Sequence, residues 1–276
     1  MPMLRIESRL DLHEPQLVIA ISGWVDGGHV ATEVGAHLSG LGQTVARFAP
    51  DEIYDYGSNR PTVEFADGAL AGVHWPGLSV SAAGPGDHDL LVLAGTEPNT
   101  RWEAACHEMA ALAEAVGVRR IFSIGAVPAA VAHTRPTPIM VTSTDPSVEA
   151  SGLPIGRFSV PAAFVNVVSH HVATSVGIPE VGLWAQVPHY VPGVYWPAVE
   201  ALMTRLFPFL GIDTGLTEVA VHAQAQRQRL DEAVSERPEA QELVRRLEGT
   251  TPAFGLEDTG GLTGEIEDFL RGLGDQ

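Results

Sequence analysis

Hydrophobic positions along this chain recur in two alternating rhythms, short continuous runs and stripes at helical spacing. Leu17–Ile21 is a short run rich in β-branched residues, the pattern of a strand covered on both faces. Similar runs predict strands at Thr44–Ala49, Leu90–Ala94, Ile121–Gly125, Ile139–Ser143 and Val181–Val187. Between them the period lengthens. Val30, Val34, Leu38 and Leu41 form one helical stripe directly after the glycine-rich turn Gly23–Gly28. Trp102, Cys106, Met109, Ala113 and Val116 form another, with Thr100 placed to cap it, Glu103 three residues on, and Gly117 to end it. Ala162–Val176 and Pro197–Leu210 complete the series. Thr62–Val73 reads as a hairpin turning at Asp67-Gly68, a pair suited to a primed turn. Strands alternating with helices imply parallel pairing around a central sheet, with Leu17–Ile21 inside it.

The pattern changes near residue 214. From Gly215 to Gln276 there is no tryptophan, tyrosine or strand-like run. Leu216–Val234, Pro238–Leu247 and a short stretch around Glu265–Leu270 read as helices. The division expected is an α/β domain over residues 1–214 followed by a helical C-terminal extension over 215–276.

Charge narrows the function classes. The formal net charge is −18, and all 16 basic residues are arginine. A surplus of that size opposes nonspecific binding to nucleic acid or anionic lipid. The absence of lysine removes the GxxxxGK[ST] phosphate loop and every Schiff-base mechanism. There is no GxSxG, HExxH, CxxC or GxGxxG motif. The single cysteine, Cys106, lies on the apolar stripe of its helix and reads as a buried structural thiol. No apolar run approaches the ~20 residues of a membrane span. With no signal-peptide core at the N-terminus either, the location expected is cytoplasmic.

Histidine is abundant, at 11 residues. His29 and His37 lie eight positions apart on one helix, ~12 Å along its axis, too far to share an ion. His170 and His171 are adjacent on a helix and point in different directions. No metal set and no cofactor is therefore expected. The chemistry-bearing loops are those following strands, which in such folds meet at the carboxyl edge of the sheet. They carry Asp26 and Glu97 as carboxylates, His133 and His189 as titratable groups, and Arg135 as an anion-binding fork. The amides of Gly27 and Gly28, at a helix start, suit an anion. The same residues also suit helix capping, support of loop backbones or a subunit interface.

Several of these segments resemble the PAC2 family, named for proteasome assembly chaperone 2. They are GWVDGGHVA (23–31), DLLVLAGTEPNTRW (89–102), GVRRIFSIGAVPAAVAHTRPTPIMVTST (117–144) and GIPEVGLWAQVPHYVPGVYWPAVEALMTRL (177–206). The resemblance spans about residues 15–215. It implies an α/β/α sandwich related to nucleoside-phosphorylase-like folds and assembly into homo- or hetero-oligomers, a homotrimer being the first expectation here. Trp184, Tyr190, Tyr195 and Trp196 are the aromatic candidates for such an interface, with core packing the other reading. Eukaryotic and archaeal members assist proteasome assembly, some through a C-terminal hydrophobic-Tyr-any motif. This sequence ends Leu273-Gly274-Asp275-Gln276, so docking of that kind is not expected. Two classes of function follow. The preferred one is a non-enzymatic assembly or scaffold protein working through protein contacts. The alternative is an enzyme or binder of a small anionic metabolite at the carboxyl-edge loops, ligase-like or phosphorylase/hydrolase-like.

Overall fold

The computed structural model describes residues 2–8, 10–84, 88–145, 148, 161–212 and 215–249. Its centre is an eight-stranded sheet in the order β1-β3-β6-β7-β2-β8-β10-β9. The four middle strands are β7 (Leu90–Thr96), β2 (Gln16–Ser22), β8 (Arg120–Ala129) and β10 (Glu180–Pro188), all mutually parallel. Antiparallel strands flank them, with β6 (Leu78–Ala83), β3 (Gln43–Phe48) and β1 (Leu4–Ile6) on one side. On the other side β9 (Ile139–Ser143) closes the edge. The parallel character expected from the sequence thus holds for the centre, while the flanks make the sheet mixed.

β2 shows why its sequence is almost wholly apolar. Leu17, Ile19 and Ile21 enter one core cluster, and Val18 and Ala20 enter another on the opposite face. The strand lies between β7 and β8, inside the sheet, as its uninterrupted apolar run requires. α3 (Trp102–Val116) and α4 (Phe164–Val176) cover the first face. α1 (Val30–Gly40) and α5 (Trp196–Leu210) cover the second. A single turn, α2 (Pro50–Ile53), follows β3. α6 (Leu216–Ser235) packs along α5 through Val219 and Ala223, and α7 (Pro238–Glu248) packs on α6. The stretch around Glu265–Leu270 lies outside the described residues.

The hairpin forms as the turn pair predicts. β4 (Thr62–Ala66) pairs with β5 (Ala69–His74), and Asp67 and Gly68 both take positive φ, at 52° and 80°. Positive φ at both central residues is what a type I′ turn requires.

Some local readings need correction. Thr100 does not cap α3: Arg101, with φ at 58°, occupies that position and makes no side-chain cap bond. The Thr100 amide instead donates to the Ile53 carbonyl at 3.2 Å. Leu41 ends α1 as its cap residue and is 37% exposed, so the apolar stripe stops at Leu38. Of the four aromatic interface candidates, two follow the core reading and two stay partly open. Trp184 and Tyr195 are buried, Trp184 donating its indole N–H to Thr142 Oγ1 at 3.0 Å. Tyr190 and Trp196 are half-buried, and Trp196 stacks on His222 of α6.

Candidate functional site

The strands β7, β2, β8 and β10 end at Thr96, Ser22, Ala129 and Pro188, so the loops that follow them share one edge of the sheet. The candidate residues fall there into separate groups.

Asp26 is buried and serves α1. Its Oδ1 accepts the amides of Ala31 at 2.7 Å and Thr32 at 3.3 Å, and its Oδ2 accepts the Thr32 hydroxyl at 2.5 Å. These are free first-turn donors that a helix start must satisfy. Burial raises the carboxyl pKa above the ordinary value, outweighing those hydrogen bonds and the nearby His29. Gly27 and Gly28 face protein atoms. A Cβ on Gly27 would lie 3.1 Å from the Ala126 carbonyl and from Val187, and one on Gly28 would lie 2.8 Å from Tyr195 Cβ. Close packing against β8, β10 and the start of α5 is what these glycines permit.

Glu97 joins two other segments. Its Oε2 accepts the Trp24 amide at 3.2 Å, and its Oε1 accepts the Phe164 amide at 2.5 Å, at the first residue of α4. A carboxylate at a helix N-terminus is favoured by the helix dipole. Gly23 leaves it room, since a Cβ there would fall 2.7 Å from the Glu97 Cβ.

His133 centres the second group. Its side chain is 1% exposed. Its backbone amide donates to the Tyr190 hydroxyl at 2.9 Å, and Nδ1 stands 2.7 Å from the same oxygen. Nε2 lies 3.3 Å from Asp231 Oδ1 on α6, at ion-pair distance though not aligned for a hydrogen bond. Next door, the Thr134 hydroxyl donates to Glu248 Oε1 on α7 at 2.5 Å. Ala132, Val244 and Leu247 pack together beside them, with Ala130, Tyr190, Val234 and Leu243 around. Burial raises the hydroxyl pKa of Tyr190 and, more strongly, that of Tyr195, so both remain protonated.

The helical arm α6–α7 therefore sits on the loop after β8, and residues 132–134 are its seat. Asp231, Leu247 and Glu248 escaped the sequence reading because their partners lie about a hundred positions away. Only the Val244–Leu247 spacing, i and i+3, hinted at a buried face on α7.

Arg135 is exposed, and among the described residues no carboxylate pairs with it. Beside it a groove of about 220 Å³ is lined by Ala130, Val131, Ala132, Pro136, Pro138 and Leu247. His189 is exposed, its Nδ1 3.2 Å from the Ala129 carbonyl. Among the described contacts nothing joins Glu97 to His133 or Arg135. The edge thus holds a capped helix start, a carboxylate brace, and an arm seat with a groove at its rim.

Comparison with known proteins agrees with this architecture. The PAC2 family model matches residues 20–234. No curated protein sequence matches. A Mycobacterium tuberculosis protein of unknown function, Rv2714, is 31% identical with a TM-score of 0.82, covering 90% of this chain and 87% of its own. The M. tuberculosis proteasome-assembly chaperone homologue Rv2125 is 31% identical with a TM-score of 0.74, covering 83% and 99%. The Pyrococcus furiosus protein PbaB, described as an archaeal proteasome activator, shares the fold at 14% identity and a TM-score of 0.62, covering 83% and 97%. With most of its length matched by the family model and by relatives above 30% identity, this chain belongs to the PAC2 family.

Proposed function

We propose that this PAC2 protein acts without catalysis, as an assembly or scaffold protein that works through protein–protein contacts, first of all with copies of itself. The observation that carries the reading is the β4–β5 hairpin. Val63 opposes Val73 and Phe65 opposes Leu70, so these four share one face, while Thr62, Glu64 and His74 take the other. The apolar face is open, with Val63 54%, Phe65 67%, Leu70 55% and Val73 42% exposed. Trp75 continues it at 57%, its ring packed edge-on against Tyr56. An isolated two-stranded hairpin is marginal in water, and a contiguous apolar patch of a few hundred Å² marks an interaction surface. The relative Rv2125, described as a proteasome-assembly chaperone homologue, supports the same class of function. A homotrimer inside the cytoplasm remains our first expectation.

Light scattering at micromolar concentration tests it. The expected mass is a multiple of 29.3 kDa, falling to 29.3 kDa in the double variant Phe65→Glu, Leu70→Glu with an unchanged circular dichroism spectrum. A wild-type mass of 29.3 kDa would overturn self-assembly.

The Arg135 groove favours a second reading, a small anion held by the Arg135 guanidinium at the rim of the arm seat, without the Asp26, Gly27, Gly28 and Glu97 group, which the fold uses elsewhere. Its support is an exposed guanidinium beside an apolar recess. Arg135→Ala is expected to abolish anion binding and leave the melting temperature within a few degrees. Unfolding of that variant would make Arg135 structural.

A further inference from the structure

We propose that His107 and His171 form a two-histidine site for a borderline-soft divalent cation such as Ni²⁺, Cu²⁺ or Zn²⁺, joining α3 to α4. The two helices pack side by side over the first face of the sheet. The rings come from different helices, stand 4.5 Å apart centre to centre, and are inclined at 89°. With metal–nitrogen bonds of about 2.0–2.1 Å, two imidazoles cis on one ion place their centres roughly 4.5–5.2 Å apart. The observed spacing falls at the lower end of that range, so the ring centres already stand where shared coordination would place them.

A second observation points the same way. His171 Nε2 is buried and has no hydrogen-bond partner. A buried ring nitrogen without a partner is costly, and coordination would satisfy it. His107 is exposed, so the pair opens to solvent on one side and an ion can enter. The chain's −18 net charge raises the local concentration of cations. Imidazole nitrogens select Zn²⁺, Cu²⁺ and Ni²⁺ over Mg²⁺ and Ca²⁺. Among the described residues no group of three His, Cys, Asp or Glu could hold an ion. Among the described residues the two rings are the ligand set, with the remaining positions open to water, and the ion they bind staples two helices. The adjacent His170 belongs to a different direction of the helix; the second ligand comes from α3 instead.

Thermal unfolding of the full chain, stripped with a chelator, tests the proposal with Ni²⁺ as probe. At an ion concentration about a hundredfold above Kd, binding to the folded state alone raises Tm by about 5 °C. Mg²⁺ at the same concentration leaves Tm unchanged. His107→Ala and His171→Ala each weaken Ni²⁺ binding at least tenfold, and His170→Ala does not. Should His171→Ala fail to fold, the exposed His107→Ala decides alone. Paramagnetic broadening of amide resonances around residues 107 and 171 gives an independent readout. No Ni²⁺-dependent shift would mean that the rings are in plain packing contact, and a shift that survives His107→Ala would place the ion on other histidines. Either result overturns the proposal.

Discussion

Replacing Asp26 tests how the opening loop is built. Asp26→Ala removes the acceptor for two first-turn amides of α1 and for the Thr32 hydroxyl. Loss of a helix-start cap costs about 0.5–2 kcal/mol, and a buried donor left unpaired costs about 1–3 kcal/mol. The Ala31 amide is buried and pays that penalty in full; the half-buried Thr32 can turn to water. The two figures price the same lost acceptor, so a cost of about 1–3 kcal/mol follows, which for a chain of this size lowers Tm by roughly 2–5 °C. Asp26→Asn separates charge from hydrogen bonding, because its carbonyl oxygen still accepts the Ala31 amide. The folded carboxyl has a raised pKa, so the folded state favours the neutral acid. Its titration then contributes stability that is fully present below the ordinary carboxylate value of 3.8 and is lost as pH rises through the folded value. The stability of wild type minus that of Asp26→Asn should therefore decline as pH rises across this window. Chemical denaturation of both proteins between pH 3.5 and 7 measures the difference, in which the other carboxylates cancel. A difference that grows with pH would show that the hydrogen bonds to the anion outweigh its burial and would refute the reasoning.

Gly125→Ala should destabilise strongly, because its Cβ would fall 2.7 Å from the Val25 carbonyl and 2.8 Å from the Trp184 ring; a denaturation midpoint equal to wild type would contradict the packing described. Cys106 should resist a thiol-specific reagent in the folded protein at pH 8, since burial first, then Glu103, pushes its pKa up to about 11. Its absorbance-monitored reaction should become rapid only when denaturant is added.

What the sequence made readable was whatever two covered faces or one local turn dictate. β2 needs apolar side chains in both directions, and its run shows it. The Asp67-Gly68 turn needs two positive φ angles, and that pair supplies them at little cost. β6 was missed because its Leu-Ser-Val-Ser-Ala-Ala sequence alternates small polar residues, and β1 because three residues carry no period. In the candidate site, Asp26 and Glu97 were rightly placed on strand-end loops. Their roles as acceptors for the amides of Ala31 and Phe164 rest on distances that only the folded chain sets.

The arm and the hairpin show where local reading stops. The loops carrying His133, Arg135 and His189 read in sequence as a candidate anion site, because two titratable rings and a guanidinium there suit one. In the fold, Tyr190 takes both the amide and the ring nitrogen of His133, and α6 and α7 bring Asp231 and Glu248 onto it. Polar groups that would otherwise serve a substrate are thereby used to seat a helix pair. The hairpin makes the opposite case. Its Val, Phe and Leu positions are as apolar as core positions, yet among the described residues no layer covers them. Burial of an apolar face is worth about 25 cal/mol per Å², so a face left open in the single chain is the surface at which association gains most. Asp26, Glu97 and His133 thus work inside the protomer, while the apolar side chains of the hairpin stand on its surface. This division is what supports the proposed role through protein contacts.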